Sequence, residues 1–241
     1  MKFLFISSNL DPASKNIASF LNEYFEVFKV EKELLNVKKE DLPKASYYIF
    51  LSKHRSSSNQ PSLTVHVPGL LDRDVCSASA VLNSLLLNNI YNFYRKSNLN
   101  GFNVCFEVVH HTPTDIDKPT CFVEIGSTEK EWKDERLGKI MADAIVKTVE
   151  QIESGDYDEK IKAVGYGGNH YAPKFTKLCL EGKYYFSYLI PKYANVSENV
   201  LKKIVKSDVE RLLIDWKGSK SEGRKKMIEF FKSYNIDYER V

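Results

Sequence analysis

Short apolar runs alternate with long amphipathic stretches along the chain, and this order constrains the fold more than any other feature of the sequence. Patterns typical of buried strands lie at residues 2–7, 47–51, 63–67, 103–109, 121–125 and 162–166. Helical periodicity of apolar residues extends over about residues 11–25, 75–94 and 129–153. Strands that alternate with such helices predict an α/β fold, a three-layer α/β/α sandwich with a mixed, mostly parallel sheet.

Positive charge is concentrated in the last third of the chain. Residues 160–241 have a net charge of +8, whereas residues 107–159 have a net charge of −8. The pattern of residues 175–190 predicts a β-hairpin that turns at Glu181 and Gly182, and the rest is predicted as mostly helix. We expect residues 1–241 to form a single α/β domain, with the basic part, residues 175–241, packed on it. This part could track a phosphate backbone, although mixed-charge helices are usually solvated faces.

Several classes of protein are excluded by what the sequence lacks. Its apolar runs fall far below the roughly 20 residues of a membrane span, so we expect no transmembrane helix and a cytoplasmic protein. The four cysteines occur singly in apolar contexts, which favours buried, reduced thiols over disulfides or a zinc ribbon. No glycine fingerprint of a nucleotide-binding loop and no GxSxG elbow is present. We therefore expect hydrolysis by an activated water rather than covalent catalysis.

All five histidines lie between residues 54 and 170, which suggests one shared site. His54, His110, His111 and His170 follow predicted strands, and ligands bind at the carboxyl ends of strands in open α/β sheets. Neutral imidazole is a common metal ligand and acid–base group near pH 7. His66, at the end of its strand, could instead be a satisfied core residue. Because His110 and His111 are adjacent, we expect one to face the cavity and the other to support it.

Carboxylates and a glycine-rich stretch add further candidates. Glu124 stands in an otherwise apolar strand, where it could bind a metal, orient a histidine, act as a base or simply face solvent at a sheet edge; Glu107 has the same ambiguity. The glycines of residues 165–174, GYGGNHYAPK, permit close approach of backbone N–H groups to an oxyanion or sugar phosphate, although a turn alone would explain them. Arg55 has a guanidinium suited to phosphate.

Six blocks of sequence resemble the signature blocks of the archaeal and plant type of D-aminoacyl-tRNA deacylase. In order along the chain they are Asp11–Ser14 with Asn16 and Ile17, Ser52–Ser56, Leu63–Gly69, Glu107–Thr114, Phe122–Glu129 and Gly165–Thr176. The resemblance implies a phosphorylase- and peptidyl-tRNA-hydrolase-like α/β/α fold. It also implies hydrolysis of the ester between a D-amino acid and the 3′ end of tRNA, with zinc as cofactor. Such an enzyme proofreads chirality in translation and recycles mischarged tRNA, and we expect a monomer.

The residues and the resemblance together give the expected site. The expected catalytic residues are His54, His110, His111, Glu124 and His170, and the expected zinc ligands are His110, His111, His170 and Glu124. The expected substrate-binding residues are Arg55, His66, Thr112, Gly167, Gly168, Asn169, Tyr171 and Lys174. Within this set, the amides of Gly167 and Gly168 should face the developing oxyanion. Tyr171 or Tyr166 should stack on the terminal adenosine, and the basic part should hold the acceptor stem.

Two other classes of function stay open at this point. A nucleoside phosphorylase or other small-molecule hydrolase on the same fold would use the histidines and Arg55 without the basic C-terminal part. A non-catalytic RNA-binding protein would need the basic part but no clustered histidines. Salt dependence distinguishes the first alternative, because binding of tRNA weakens steeply with ionic strength.

Overall fold

A computed structural model describes all residues from Met1 to Val241. The strands are Phe3–Ser8 (β1), Val27–Val30 (β2), Tyr47–Arg55 (β3), Ser62–His66 (β4), Gly69–Leu70 (β5), Asp74–Val75 (β6), Asn103–Phe106 (β7), Thr120–Ser127 (β8), Ile161–Tyr166 (β9), Tyr184–Ile190 (β10), Arg211–Ile214 (β11) and Asp237–Arg240 (β12). The helices are Pro12–Leu21 (α1), Ala80–Lys96 (α2), Glu129–Trp132 (α3), Glu135–Ser154 (α4), Pro173–Leu180 (α5), Glu198–Val205 (α6) and Ser221–Lys232 (α7), and single 3₁₀ turns lie at Leu34–Asn36 and Lys39–Asp41.

The larger sheet changes strand direction once. Its six strands have the order β2-β1-β3-β8-β4-β7, and every neighbouring pair is parallel except β4 and β8. In that antiparallel pair Ser62 lies opposite Gly126, and His66 lies opposite Phe122. The carboxyl ends of β3 and β8 therefore point one way along the sheet, and those of β4 and β7 point the other way.

A second sheet is joined to the first by a short segment that follows β7. This sheet has four parallel strands in the order β10-β9-β11-β12. The Glu107 N–H donates to the Val65 carbonyl of the larger sheet at 3.1 Å. The N–H groups of the next two residues, 108 and 109, donate to the carbonyls of His170 and Leu189, beside or within the second sheet, at 3.0 and 2.9 Å. Residues 107–109 thus form a seam between the two sheets.

Apolar faces of the helices cover both sheets. On α4 the buried residues recur every three or four positions, so one stripe of this helix faces inward. Helices α1, α2 and α4 share one large core with the inner face of the larger sheet, and α2 also packs against β10. Helices α6 and α7 cover the opposite face of the second sheet. The carboxyl end of β3 is anchored to α1 because Asp11 caps this helix at Ser14 and also accepts the Lys53 N–H, at 3.0 and 2.9 Å.

The α/β class and the mixed, mostly parallel sheet are confirmed, whereas two expectations for the C-terminal part are wrong. Residues 175–190 form α5 and then β10, which pairs in parallel with β9, instead of a hairpin. Pro173 opens this helix at its first position, and Phe175, Thr176 and Cys179 face inward with helical spacing. The rest is not mostly helix, since it contains β11 and β12. The single domain stays a prediction, which the packing of α2 on both sheets supports.

The four cysteines are free and buried, as expected. None of the helices combines the length and apolar character required to cross a lipid bilayer.

Candidate active site

The carboxylate of Glu107, which is 1 % exposed, lies at the centre of a histidine cluster. Its Oε1 is 3.1 Å from His54 Nδ1. Its Oε2 is 2.9 Å from His170 Nε2 and 3.3 Å from His110 Nε2. The remaining two histidines adjoin this group, as described next, so the predicted convergence of all five is confirmed.

Backbone geometry brings the adjacent histidines onto the same side of their loop. The φ of 47° at His111 is left-handed, and the ring centroids of His110 and His111 are only 4.4 Å apart. Their Nδ1 atoms donate to the carbonyls of Val108 and Thr112 at 2.8 and 2.7 Å. In the neutral rings each Nε2 therefore carries a lone pair. The Nε2 of His111 is 3.0 Å from that of His66. The expectation that one of the two adjacent histidines only supports the other is wrong, because both line the cleft.

Strand pairing places His54 beside Glu124. On β8, Glu124 pairs with Ser52 and Gly126 pairs with His54, so the side chains of Glu124 and His54 lie on the same face of the sheet, two positions apart along the strands. Glu124 Oε2 is 3.3 Å from His54 Nδ1. A Cβ atom at Gly126 would lie 2.8 Å from Cδ2 and 2.9 Å from Cβ of His54. The ring is held further by Tyr171, whose hydroxyl is 2.8 Å from His54 Nε2. Only glycine at position 126 leaves room for this arrangement.

Burial keeps three of the histidines neutral. Desolvation is the largest influence on His66, His110 and His111, and it lowers the pKa of each ring. The pKa of His111 falls to about 3, with the charge of His110 as a further cause. These three rings therefore present lone pairs rather than positive charge at neutral pH.

The other half of the cluster shares protons between His54 and two carboxylates. Burial opposes a charge on His54, but its hydrogen bond to Glu124 and the charges of Glu107 and Glu124 outweigh this and raise its pKa. Burial raises the pKa of Glu124 to about 7, and the neighbouring charge of Glu107 adds to this rise. Burial alone would raise the pKa of Glu107 too, but the hydrogen bond from His170 and the charges of His54 and His110 lower it. Glu107 is therefore the ionised member and Glu124 the proton acceptor near pH 7.

The ligand atoms form three groups that could each hold a metal ion. They are His66, His110 and His111; Glu107, His110 and His170; and His54, Glu107 and Glu124. The predicted set of three histidines with Glu124 is not gathered in one group, because the Glu124 carboxylate turns toward His54. Glu107 was not in the predicted set, although it occupies the centre of the cluster.

Two clefts meet at His170. One cleft of about 310 Å³ is lined by charged residues and most of the histidines: Asp11, Glu33, Lys53, His54, Arg55, His110, His111, Glu124 and His170. The other cleft, of about 410 Å³, is lined by residues 167–175 together with Lys192, Asp215 and Gly218. His170 belongs to both linings, and its side chain is 39 % exposed. A substrate with two dissimilar halves could therefore place the bond between them beside this imidazole.

The structure separates the predicted substrate-binding residues by what they contact. Asn169, Tyr171 and Lys174 line the larger cleft, and Arg55 lines the smaller one, with its guanidinium 5.6 Å from the centroid of a tryptophan ring. Thr112 donates its hydroxyl to a carbonyl at 2.5 Å. Their roles in substrate binding stay predictions, as does that of His66, which lies buried within the cluster.

Two detailed expectations meet obstacles in the geometry. The N–H groups of Gly167 and Gly168 donate to the carbonyls of Ile190 and Gly218, both at 2.9 Å, so neither is free to bind an oxyanion in this conformation. Tyr166 is 4 % exposed and cannot stack on a base, which leaves Tyr171 as the available ring.

Sequence reasoning did not assign Glu107, Asp11, Lys192 or Asp215 to the site. A signal existed for Glu107, since it is the lone carboxylate of an apolar strand pattern just as Glu124 is. Lys192 and Asp215 follow β10 and β11, which the hairpin and helix predictions concealed.

The fold and the site define an α/β protein with a histidine–carboxylate centre at the junction of two clefts, an arrangement suited to acid–base or metal-assisted chemistry. A sequence model of the family described as D-aminoacyl-tRNA deacylase matches residues 42–239. The chain is 53 % identical to the D-aminoacyl-tRNA deacylase of Methanocaldococcus jannaschii and 45 % identical to that of Methanococcus vannielii, over the full length of both partners in each case. The chain belongs to the D-aminoacyl-tRNA deacylase family, which confirms the resemblance of the six sequence blocks.

A crystal structure of a conserved protein of unknown function has the same fold. It superposes with a TM-score of 0.87 at 25 % sequence identity, covering 99 % of this chain and 95 % of the other.

Proposed function

We propose that the protein hydrolyses the ester bond of D-aminoacyl-tRNA and releases a free D-amino acid and tRNA. The observation that carries this proposal is the convergence of five histidines on Glu107 at the junction of two clefts, in a chain of this family. An aminoacyl ester has two dissimilar halves, and the two clefts that share His170 match this property. The enzyme would thereby remove mischarged tRNA before it is used in translation.

The proton transfers of this reaction can be assigned to named atoms. Water must lose a proton as its oxygen forms a bond to the ester carbon, and the ribose oxygen must gain one as its bond to that carbon breaks. Glu124, with a pKa raised by burial to about 7, accepts the first proton through its contact with His54. His170 lies where the two clefts meet, and its Nε2 donates to Glu107 at 2.9 Å. We therefore assign the second transfer to Nδ1 of the protonated ring, which gives its proton to the ribose oxygen. The proton that Glu124 took from water then restores the protonated form of His170.

We propose zinc as the cofactor, with His66, His110 and His111 as its ligands. Their ligand atoms lie within 4.8 Å of one another. His110 and His111 use Nδ1 to donate to carbonyls, the arrangement that typically orients a metal-binding imidazole. The buried Nδ1 of His66 has no hydrogen-bond partner, which indicates that hydrogen bonding alone does not satisfy this ring. A zinc ion bound here would supply a Lewis acid beside the ester.

In this proposal the partner is the 3′ end of a D-aminoacylated tRNA. The protein acts as a monomer, in the cytoplasm, where charged tRNA is used. The net charge of +8 over residues 160–241 supports contact with a polyanion. The three carboxylates of the smaller cleft, Asp11, Glu33 and Glu124, outnumber its two cations, which suits the ammonium group of an amino acid.

Deacylation of matched D- and L-aminoacyl-tRNA, with and without chelator, tests the proposal. We expect release of the D-amino acid only, loss of activity after chelation and recovery with zinc. Activity should also fall steeply between 50 and 200 mM salt, by a factor of about 10³ if some six phosphates are contacted. His170→Ala should be strongly impaired. Equal hydrolysis of D- and L-substrates, or turnover of nucleosides without dependence on salt, would overturn the assignment.

A further inference from the structure

We propose that the larger cleft binds the 3′-terminal nucleotide of the tRNA, with Lys192 contacting its 5′-phosphate and Asp215 accepting a hydrogen bond from its ribose or base. This inference rests on the proposed function and specifies how the site holds its substrate. The cleft, lined by residues 167–175, Lys192, Asp215 and Gly218, has a volume of about 410 Å³, which is large enough for a mononucleotide.

The position of His170 between the two clefts determines which cleft holds the nucleotide. The ester must lie near this imidazole, which is shared by both clefts. Three carboxylates outnumber the two cations, Lys53 and Arg55, in the smaller cleft, which suits an ammonium group. Two lysines outnumber the one carboxylate, Asp215, in the larger cleft, which suits a phosphate. The amino acid and the nucleotide are thereby placed on opposite sides of His170.

Lys192 is the free cation of the larger cleft. The other lysine there, Lys174, is 3.1 Å from Asp215 Oδ1 and is partly neutralised by it. Lys192 forms no ion pair, since no carboxylate oxygen lies within 4.0 Å of its ammonium group. Its backbone is fixed, since the Lys192 N–H donates to the Gly168 carbonyl at 3.1 Å. A fixed backbone that carries an unneutralised ammonium group is suited to binding a phosphate.

Asp215 is held in place by glycines that leave no room for side chains. A Cβ atom at Gly218 would lie 1.9 Å from Asp215 Oδ2, and one at Gly167 would lie 2.9 Å from Asp215 Cβ. The Gly218 N–H donates to Oδ1 at 3.1 Å, and Lys174 forms an ion pair with the same oxygen. Oδ2 has no hydrogen bond to the protein, and the side chain is 13 % exposed. Oδ2 is thus an acceptor without a protein donor, on a residue that lines the cleft.

Several cations that follow Asp215 in the chain also form no ion pairs. Along α3 and α4 most cations are paired with nearby carboxylates: Lys133 with Glu129, Arg136 with Asp134, Lys139 with Asp143 and Lys147 with Glu150. Beyond Asp215, by contrast, Lys217, Lys220, Arg224 and Arg240 form no ion pair. The guanidinium carbons of Arg224 and Arg240 lie 4.4 and 3.8 Å from the centroid of the Trp216 ring. Because Trp216 follows Asp215 in the chain, this surface begins beside the cleft, and its charge suits the phosphates that precede the terminal nucleotide.

Calorimetric titration with adenosine and with adenosine 5′-monophosphate tests the inference without requiring turnover. The wild-type protein should bind the monophosphate about 10- to 100-fold more tightly, the effect of one charge-assisted contact. Lys192→Gln should remove most of this preference. Lys147→Gln, a matched change at an exposed lysine of α4, should keep it. Asp215→Asn should weaken both ligands, because it replaces one acceptor with a donor.

Turnover of minimal esters separates this inference from the proposed function. The substrates are the D-tyrosyl esters of adenosine and of adenosine 5′-monophosphate. For the wild-type protein we expect the lower KM with the ester of the monophosphate, and for Lys192→Gln we expect equal KM values. Equal binding of adenosine and its monophosphate by the wild-type protein, or an unchanged preference in Lys192→Gln, would overturn the inference even if D-aminoacyl-tRNA is hydrolysed. Absence of all hydrolysis together with a Lys192-dependent preference would support the nucleotide site and overturn only the proposed reaction.

Discussion

Replacing Glu107 by glutamine removes one charge from the centre of the site while keeping the shape of the side chain. The carboxylate makes contacts on both oxygens, to His54 Nδ1 at 3.1 Å through Oε1 and to His170 Nε2 at 2.9 Å through Oε2. A glutamine has one carbonyl oxygen and one NH₂ group, so it can accept from only one of these two rings. The variant therefore loses the ionic contact with His54, and the hydrogen bond from His170 is no longer charge-assisted, which together cost about 1.5–3 kcal/mol.

If that loss is felt in the transition state, kcat for D-aminoacyl-tRNA should fall by about 10- to 150-fold. Glu107→Asp provides a second test, because it keeps the charge but withdraws the carboxylate by one methylene group; it should also lose activity. Glu150→Gln, at an exposed carboxylate of α4, is the matched control. Circular dichroism and a thermal melt would show whether each variant is folded at the assay temperature. A folded Glu107→Gln variant with wild-type kcat would refute the role given to this carboxylate.

Two substitutions and a change of pH test the contacts that hold the site and the core around it. Gly126→Ala should impair activity and lower stability by about 1–3 kcal/mol, since the added methyl group would collide with His54; a thermal melt and initial rates measure both. Asp11→Ala should destabilise the protein by about 1–3 kcal/mol in a urea titration, because α1 loses its cap and the Lys53 N–H loses its acceptor, whereas Asp11→Asn should restore part of this. Burial raises the pKa of Tyr188 above its usual value near 10, so the unfolded chain loses this proton first as pH rises. Stability should therefore be unaffected by Tyr188 below pH 10 and fall above it, and Tyr188→Phe should lessen that fall while lowering stability at neutral pH. A free energy of unfolding that stays constant between about pH 9 and 11 would contradict this expectation.

Periodicity in the sequence was sufficient for the long helices and the central strands. The stripe of apolar residues on α4 and the buried run of β3 each have one dominant repeat, so the elements could be placed directly. Helix α5 was mistaken for a strand because its eight residues show only two turns of the repeat, next to a truly apolar strand. The reversal of direction at β4 could not be predicted, since a parallel and an antiparallel neighbour bury the same alternating pattern.

Residue types predicted that the histidines gather in one cluster better than they predicted the geometry of that cluster. Histidines placed after strands could be expected to converge, and they do. Which of the two carboxylates lies at the centre depends on the directions of their side chains. The sequence does not distinguish them, because Glu107 and Glu124 are each the single carboxylate of an apolar strand pattern. The left-handed φ at His111, which turns both adjacent rings to one side, has no sequence signal because a histidine seldom adopts it.

The seam at residues 107–109 makes the centre of the site dependent on the mutual placement of the two sheets. Glu107 touches His54 of the larger sheet on one oxygen and His170, from the loop after β9, on the other. A displacement of one sheet relative to the other would therefore lengthen one of these two contacts. If tRNA binds to the second sheet, as the proposed function requires, its binding would therefore act on the position of the central carboxylate.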